Sequence, residues 1–138
     1  MTPDIDYLAR LRAEIERPPY HAVLRPQPVA VEADTGTVVI KLAYRPEFAR
    51  APDEPGYHGG VIAALIDLTG HAAVAIHVGR MVPTVDLRID YLRAAPGTDL
   101  TARGKVLRAG RSIARADVEV SDAANNVVAV GRGTYSTL

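Results

Sequence analysis

Apolar positions divide the chain into an amphipathic segment, a group of strands, one long apolar segment and a second group of strands. In the first segment they recur at spacings of three and four residues: Ile5, Leu8, Leu11 and Ile15. This spacing predicts an amphipathic helix within residues 1–19, ended by Pro18 and Pro19. The run Thr2-Pro3-Asp4 is typical of a helix start, because a hydroxyl can cap free amides and proline suits the first helical position.

Two β-type segments follow the amphipathic helix, at residues 28–33 and 37–44. Between them Asp34-Thr35-Gly36 favours a turn, so the two segments predict a hairpin. Residues 45–57 hold three prolines and a glycine among charges and show no sustained period, which predicts a loop.

The segment that begins at His58-Gly59-Gly60 is apolar on nearly all sides and predicts a central helix over residues 58–79. Such a helix has to be covered all round. In four later segments apolar and polar residues alternate, which predicts strands that cover this helix: 81–93, 98–110, 111–122 and 126–138. The pattern therefore predicts one α+β domain over residues 1–138, with about six antiparallel strands curled around one buried helix.

Composition and charge narrow the classes of function. Of the 138 residues, 48% are hydrophobic, and 16 Lys and Arg balance 16 Asp and Glu, which excludes a globally basic nucleic-acid-binding protein. The chain contains no cysteine, and its first residues lack a signal-peptide pattern, so we expect a cytoplasmic protein. Polar residues within the long apolar segment, such as Asp67, predict a buried helix and no membrane span.

Asp67 is the first candidate for chemistry, because its sequence neighbours are apolar and a buried carboxylate needs a partner. One interpretation is a structural acid satisfied by a neighbouring element, and the other is a general base or nucleophile in a dry pocket. His71 lies four residues further on the same helical face, where it could hydrogen-bond Asp67. This pair alone makes an incomplete metal site, and His58 and His77 lie too far along the helix to complete it, so no metal is predicted.

The His58-Gly59-Gly60 run lies where the first amides of the central helix have no partner within the helix. These amides could hold a phosphate, a carboxylate or the oxygen of a polarised carbonyl, since the helix dipole is positive there. The alternative is a tight loop before the helix. The sequence contains neither a phosphate-binding loop nor a serine nucleophile elbow.

Charge is unevenly distributed along the chain. Residues 86–116 contain seven basic and three acidic residues, a net charge of +4. Arg108, Arg111 and Ser112 around the turn at Gly110 are candidates to bind phosphates of an extended ligand. The alternative is a solvated strand face.

Several runs resemble those of one known family. HGGVIAALID places Asp67 nine residues after His58, and TVDLRIDYL and VAVGRGTY follow in later strands. Together they resemble the phenylacetate-pathway (PaaI-like) branch of the hotdog-fold acyl-CoA thioesterases, over residues 37–136. The resemblance implies a hotdog fold, thioester hydrolysis, and a homodimer, often paired into a tetramer, with active sites at the dimer interface.

The resemblance also implies roles for particular residues. Asp67 would activate water or attack the thioester carbonyl itself. The Gly59 N–H of the other subunit would stabilise the oxyanion, with Gly60 beside it and His58 on the thioester side. Thr84 would orient the water or the carboxylate. The reaction would need no metal or redox cofactor, and coenzyme A would enter only as part of the substrate.

One position departs from the family pattern. Many members carry an asparagine about six residues before the histidine, whereas this chain has Pro52 there. The resemblance implies a thioesterase, which we expect to act on a small aromatic or medium-chain acyl-CoA. A non-catalytic acyl-CoA or small-molecule binding module, favoured by the missing asparagine, stays open. So does an acyl-thioester hydratase or dehydratase, which would use His71 with an acid.

Overall fold

The computed structural model describes residues 1–2 and 4–138. Helix α1 spans Tyr7–Glu16 and packs Leu11 and Ile15 into the core, which confirms the predicted apolar stripe. A short helix, α2 (His21–Leu24), follows the two prolines.

Helix α1 begins later than the sequence predicts. Its N-cap is Asp6, whose carboxylate accepts a hydrogen bond from the Ala9 amide at 2.9 Å. A carboxylate both satisfies a free amide and interacts favourably with the helix dipole, so Asp6 is the stronger cap. The prediction that Thr2 caps the helix is therefore wrong, and the predicted role of Pro3 lies outside the described residues.

The predicted hairpin is confirmed. Strands β1 (Gln27–Val31) and β2 (Val38–Leu42) pair antiparallel. Gly36, in the turn between them, has φ +69°, a left-handed conformation that glycine adopts without strain.

The segment predicted as a loop contains regular structure. A 3₁₀ turn at Pro46–Phe48 leads into strands β3 (Ala49–Ala51) and β4 (Glu54–Tyr57), which form a separate two-stranded sheet. The loop prediction was wrong because strands this short show no readable period. Phe48 and Tyr57 are both buried, so this small sheet is anchored to the core.

The central helix, α3, spans Gly59–Val78 between an N-cap at His58 and a left-handed C-cap at Gly79. It is the one helix of the described chain whose length and apolar composition would suffice to cross a membrane. In this fold it is the core helix, and its apolar residues, Leu65 and Ile66 among them, are buried against the sheet.

Four strands follow the central helix: β5 (Thr84–Tyr91), β6 (Leu100–Ala109), β7 (Ile113–Ser121) and β8 (Val127–Ser136). With β1 and β2 they form a six-stranded antiparallel sheet in the order β1-β2-β6-β7-β8-β5. Within the described chain β5 pairs only with β8, so its other side is an open edge.

The sheet closes tightly on α3 because glycines lie where the helix is nearest. A Cβ on Gly104 would lie 2.9 Å from Cγ2 of Thr69 and 3.0 Å from its carbonyl oxygen. A Cβ on Gly131 would lie 2.5 Å from Cγ2 of Ile66. One long helix packed against a six-stranded antiparallel sheet is the hotdog fold that the sequence predicts.

Candidate active site

The start of α3 is held by backbone hydrogen bonds from two neighbouring segments. The Tyr57 amide donates to the Ala95 carbonyl at 3.1 Å, and the His58 amide donates to the Phe48 carbonyl at 2.7 Å. The 3₁₀ turn at Pro46–Phe48 and the segment around Ala95 therefore hold the residues that lead into the helix.

His58 caps the helix with its own side chain. Its Nδ1 accepts a hydrogen bond from the Gly60 amide at 2.9 Å. Because Nδ1 accepts, the ring proton of this neutral imidazole lies on Nε2, which is left as a donor. The Gly60 amide, predicted to bind substrate, is instead occupied by His58.

The backbone N–H of Gly59, unlike that of Gly60, has no hydrogen-bond acceptor within the described chain. The Gly59 carbonyl oxygen accepts a hydrogen bond from the Tyr91 hydroxyl at 2.7 Å. The free amide lies at the positive end of the helix dipole, which suits a developing negative charge.

Asp67 lies eight residues further along α3 and is only half-buried. The Thr84 hydroxyl donates to its Oδ1 at 2.8 Å, so one carboxylate oxygen is oriented and Oδ2 remains available. The Tyr135 hydroxyl donates to the Asp67 carbonyl at 3.3 Å. Burial, followed by the charge of Asp67, raises the pKa of Tyr135, so this hydroxyl stays protonated.

Asp67 opens into a cavity of about 400 Å³. Its walls come from α3, from β5 and from the segment around α2: Pro18, Tyr20, His21, Ala63, Ala64, Asp67, Leu68, His71, Thr84 and Leu87. The carboxylate lies at the side of this cavity and is not enclosed, because only an edge strand and the N-terminal segment cover this face of the helix. The expectation of a dry, fully buried acid is therefore wrong for the single chain.

His71 also lines the cavity, but it faces α1 and not Asp67. Its Nδ1 lies 3.6 Å from Oε1 of Glu14. Burial lowers the pKa of His71, although the nearby charges of Glu14 and Asp67 oppose that shift. The predicted hydrogen bond between His71 and Asp67 is not formed.

The basic residues of the segment 86–116 lie beside acids from outside that segment, Glu32, Asp117 and Glu119. The outer face of the sheet carries both signs of charge: Arg88, Arg103, Lys105, Arg115 and Arg132 with Asp86, Asp90, Asp117 and Glu119. Arg132 pairs with Asp117 at 2.7 Å, and Arg103 pairs with Glu32. The Arg103 guanidinium holds the pKa of the Glu32 carboxyl below its usual range.

The candidate phosphate-binding residues lie away from the Asp67 cavity. Arg111 and Ser112 are exposed in the β6-β7 turn, and Arg108 lines a separate cavity with His77 near the C-terminal end of α3. A single chain does not bring these three residues to Asp67, and their part in substrate binding stays a prediction.

Sequence reasoning missed three residues of the site. Tyr91 was one apolar residue in a strand of alternating apolar and polar residues, with no sign of a role in the site. Glu14 and His21 belong to the N-terminal segment, which was expected only to pack against the rest of the domain. His21 Nδ1 lies 2.8 Å from the Ile15 carbonyl and donates to it, which leaves Nε2 free in the cavity wall. No local signal marks these residues, because only tertiary packing brings them to α3.

Strand β5 connects the two parts of the site. It runs antiparallel beside the first half of α3, so Thr84 contacts Asp67 and Tyr91 contacts Gly59. Asp67 and Gly59 are about 12 Å apart along the helix, at 1.5 Å per residue. Within one chain the Asp67 carboxylate and the Gly59 amide therefore belong to different parts of the helix.

A hotdog fold with a carboxylate in the middle of its helix and a free amide at the helix start has the features of a hotdog thioesterase. The sequence profile of the thioesterase superfamily matches residues 57–129, more than half of the chain. The chain belongs to this superfamily and is a thioester hydrolase.

Individual relatives agree with this assignment. A Halobacterium salinarum protein, itself named only as an inferred esterase, is 36% identical over 127 residues, 83% of this chain and 83% of its own length. The medium/long-chain acyl-CoA thioesterase YigI of Escherichia coli is 36% identical over 93 residues, which cover 56% of this chain and 60% of YigI.

Solved structures show the same fold. A crystal structure from the thioesterase superfamily is 32% identical, with a TM-score of 0.89 and coverage of 96% of this chain and 98% of its own. The PaaI protein from the phenylacetic acid degradation operon of E. coli has a TM-score of 0.84 over 96% of this chain and 93% of its own, at 20% identity. The predicted likeness to the PaaI-like branch is thus confirmed at the level of fold and superfamily.

Proposed function

We propose that the protein hydrolyses a small aromatic or medium-chain acyl-CoA to the free acid and coenzyme A, with Asp67 as general base or nucleophile. The observation that carries this proposal is the Asp67 carboxylate, which Thr84 orients beside a cavity large enough for a small acyl group. Thioesters are activated acyl donors, so one carboxylate and one oxyanion site suffice without a metal or redox cofactor.

The reaction proceeds through a tetrahedral oxyanion. Asp67 takes a proton from water as the water oxygen attacks the thioester carbonyl, or its Oδ2 attacks directly to give an anhydride that water then cleaves. The Gly59 amide donates to the oxyanion. Collapse of the intermediate expels the coenzyme A thiolate. In the general-base route the thiolate takes the proton held by Asp67, and in the nucleophilic route it takes a proton from the water that cleaves the anhydride. The Nε2–H of His58 provides a donor for the departing sulfur.

The separation of Asp67 and Gly59 favours a site shared between two copies of the chain. The open edge of β5 exposes apolar side chains, including Val85 and Tyr91, and long exposed edges require cover. A two-fold pairing of β5 with β5 near the strand's centre would bring Thr84 of one copy towards Tyr91 of the other. Asp67 would then face the Gly59 amide of the partner subunit.

Such a homodimer is part of the proposal, as are its pairing into a tetramer and a cytoplasmic location. The sheet's outer face, with interleaved charges of both signs, provides a self-complementary surface for the tetramer.

The cavity supports a small acyl group more than a long one. Its walls combine apolar atoms of Ala63, Ala64, Leu68 and Leu87 with the imidazoles of His21 and His71. Because the chain spans only 60% of YigI, the chain-length preference in that relative's name does not decide the substrate here.

Hydrolysis of an acyl-CoA panel by the wild type and by Asp67→Asn tests the proposal. The variant should lose roughly 100-fold or more in kcat/KM, because it removes the base while keeping the shape of the side chain. Asp34→Asn, in the exposed β1-β2 turn, is the matched control and should keep full activity. An unchanged rate in folded Asp67→Asn would disprove the role of this carboxylate. Tight coenzyme A binding without turnover of any thioester by the wild type would favour a binding module.

A further inference from the structure

The peptide unit between Gly59 and Gly60 is held by a side chain at each of its two polar atoms. The Tyr91 hydroxyl donates to the Gly59 carbonyl at 2.7 Å, and the Gly60 N–H donates to Nδ1 of His58 at 2.9 Å. Two consecutive glycines make this the least restricted backbone in the site. Glycines have no Cβ to limit their backbone conformation, so here the two hydrogen bonds limit it instead.

Packing strengthens the Tyr91 contact. A Cβ on Gly59 would lie 3.4 Å from Cε1 and Cζ of the Tyr91 ring, so the ring rests directly on the glycine backbone. Tyr91 is 51% exposed, and water could satisfy its hydroxyl, yet the hydroxyl is aimed at the carbonyl. In the single chain this contact therefore forms without being enforced by burial.

The hydrogen bonds run in one direction. Tyr91 O–H donates to the carbonyl, the amide of the same peptide donates to His58 Nδ1, and the ring proton remains on Nε2. Hydrogen bonds in series polarise one another, by roughly 10–30% per bond. The series therefore makes His58 Nε2–H a stronger donor and keeps the imidazole in one tautomer.

We propose that Tyr91 is a positioning residue for thioester hydrolysis, which acts through the Gly59-Gly60 peptide on the His58 tautomer and on the free Gly59 amide. The effect of Tyr91 on catalysis rests on the proposed thioesterase function. The hydrogen bonds from Tyr91 to Gly59 and from Gly60 to His58 do not depend on that function. Tyr91 lies on the open edge strand β5, so the same strand that orients Asp67 through Thr84 also orients the helix start.

Tyr91→Phe tests this role, because it keeps the ring contact and removes only the hydroxyl. We expect kcat to fall by roughly 2- to 12-fold, the range for one neutral hydrogen bond, with KM unchanged. In protein labelled with 15N-glycine and 15N-histidine, the Gly60 amide proton should move upfield. The His58 ring nitrogens should shift from the Nε2–H pattern towards a mixture of tautomers. Tyr7→Phe, on α1, is the matched control and should change neither kcat nor these signals.

Unchanged kcat in Tyr91→Phe would overturn the proposal, and so would a fall in kcat without the two spectral changes. If the wild type hydrolyses no acyl-CoA, the proposed function is wrong. In that case the NMR signals alone test whether the Tyr91 hydroxyl holds the Gly59-Gly60 peptide. Unchanged signals in Tyr91→Phe would show that it does not.

Discussion

At the scale of single residues, Asp67 and His71 show what a sequence can and cannot predict. Asp67 was identifiable because a carboxylate among apolar helical neighbours needs a compensating interaction. The partner of His71 could not be identified from the sequence. The i, i+4 spacing predicts that His71 shares a helical face with Asp67, but it does not predict which element packs against that face. Helix α1 approaches that face, so Glu14 becomes the neighbour of His71.

The environment of His71 predicts how stability depends on pH. Burial lowers its pKa in the folded protein, so the unfolded chain binds the proton more strongly. The stabilisation is fully present above the unfolded-state pKa of about 6.5 and is lost as the pH falls through the lower, folded-state pKa. Urea unfolding at fixed chain concentration should therefore show the free energy of unfolding decreasing as the pH drops from 7 to 5.

His71→Gln should make that decrease smaller, because it removes the group whose pKa burial lowers. An identical pH dependence in wild type and His71→Gln would contradict the assignment of this effect to His71.

At the scale of elements, long periodic segments were predictable and short ones were not. Helix α3 and the later strands lie where their periods place them, because each has enough residues for a period to show. Strands β3 and β4 are too short to show a period, and the buried rings of Phe48 and Tyr57 anchor them to the core. The position of β5 beside β8 was also beyond local sequence, since pairing at a sheet edge depends on the whole topology.

Because α3 lies so close to the sheet, adding a side chain at a glycine on the sheet's inner face should lower the free energy of unfolding. Gly104→Ala should lower the free energy of unfolding by about 1–3 kcal/mol, because its Cβ would meet Thr69 backbone as well as side chain. Thermal or urea unfolding measures this change. Gly59→Ala, whose Cβ meets only ordinary contacts at 3.4 Å, is the comparison and should be much less destabilised. Equal stability of Gly104→Ala and the wild type would show that the sheet can move away from the helix.

At the scale of the whole molecule, the central claim is that two copies of the chain complete one active site. The sequence implied a dimer only through its resemblance to a family, and no pattern in one chain shows which residues of two copies meet. The structure adds a physical reason, because about 12 Å of helix separates Asp67, the proposed base, from Gly59, the proposed oxyanion donor.

Gly59→Pro removes the proposed oxyanion donor with little effect on the backbone. Proline suits the first position of a helix, and His58, at φ −63° and ψ 135°, already has the extended conformation preferred before proline. Gly59→Ala keeps the N–H and should therefore retain much more activity than Gly59→Pro.

The most direct measurement is acyl-CoA hydrolysis by mixed dimers of Asp67→Asn and Gly59→Pro chains, refolded together in equal amounts. Each variant alone should be nearly inactive. Each mixed dimer should contain one complete site, with Asp67 from one chain and Gly59 from the other, so the mixture should recover about a quarter of wild-type activity. A mixture no more active than the separate variants would contradict a site shared between two copies.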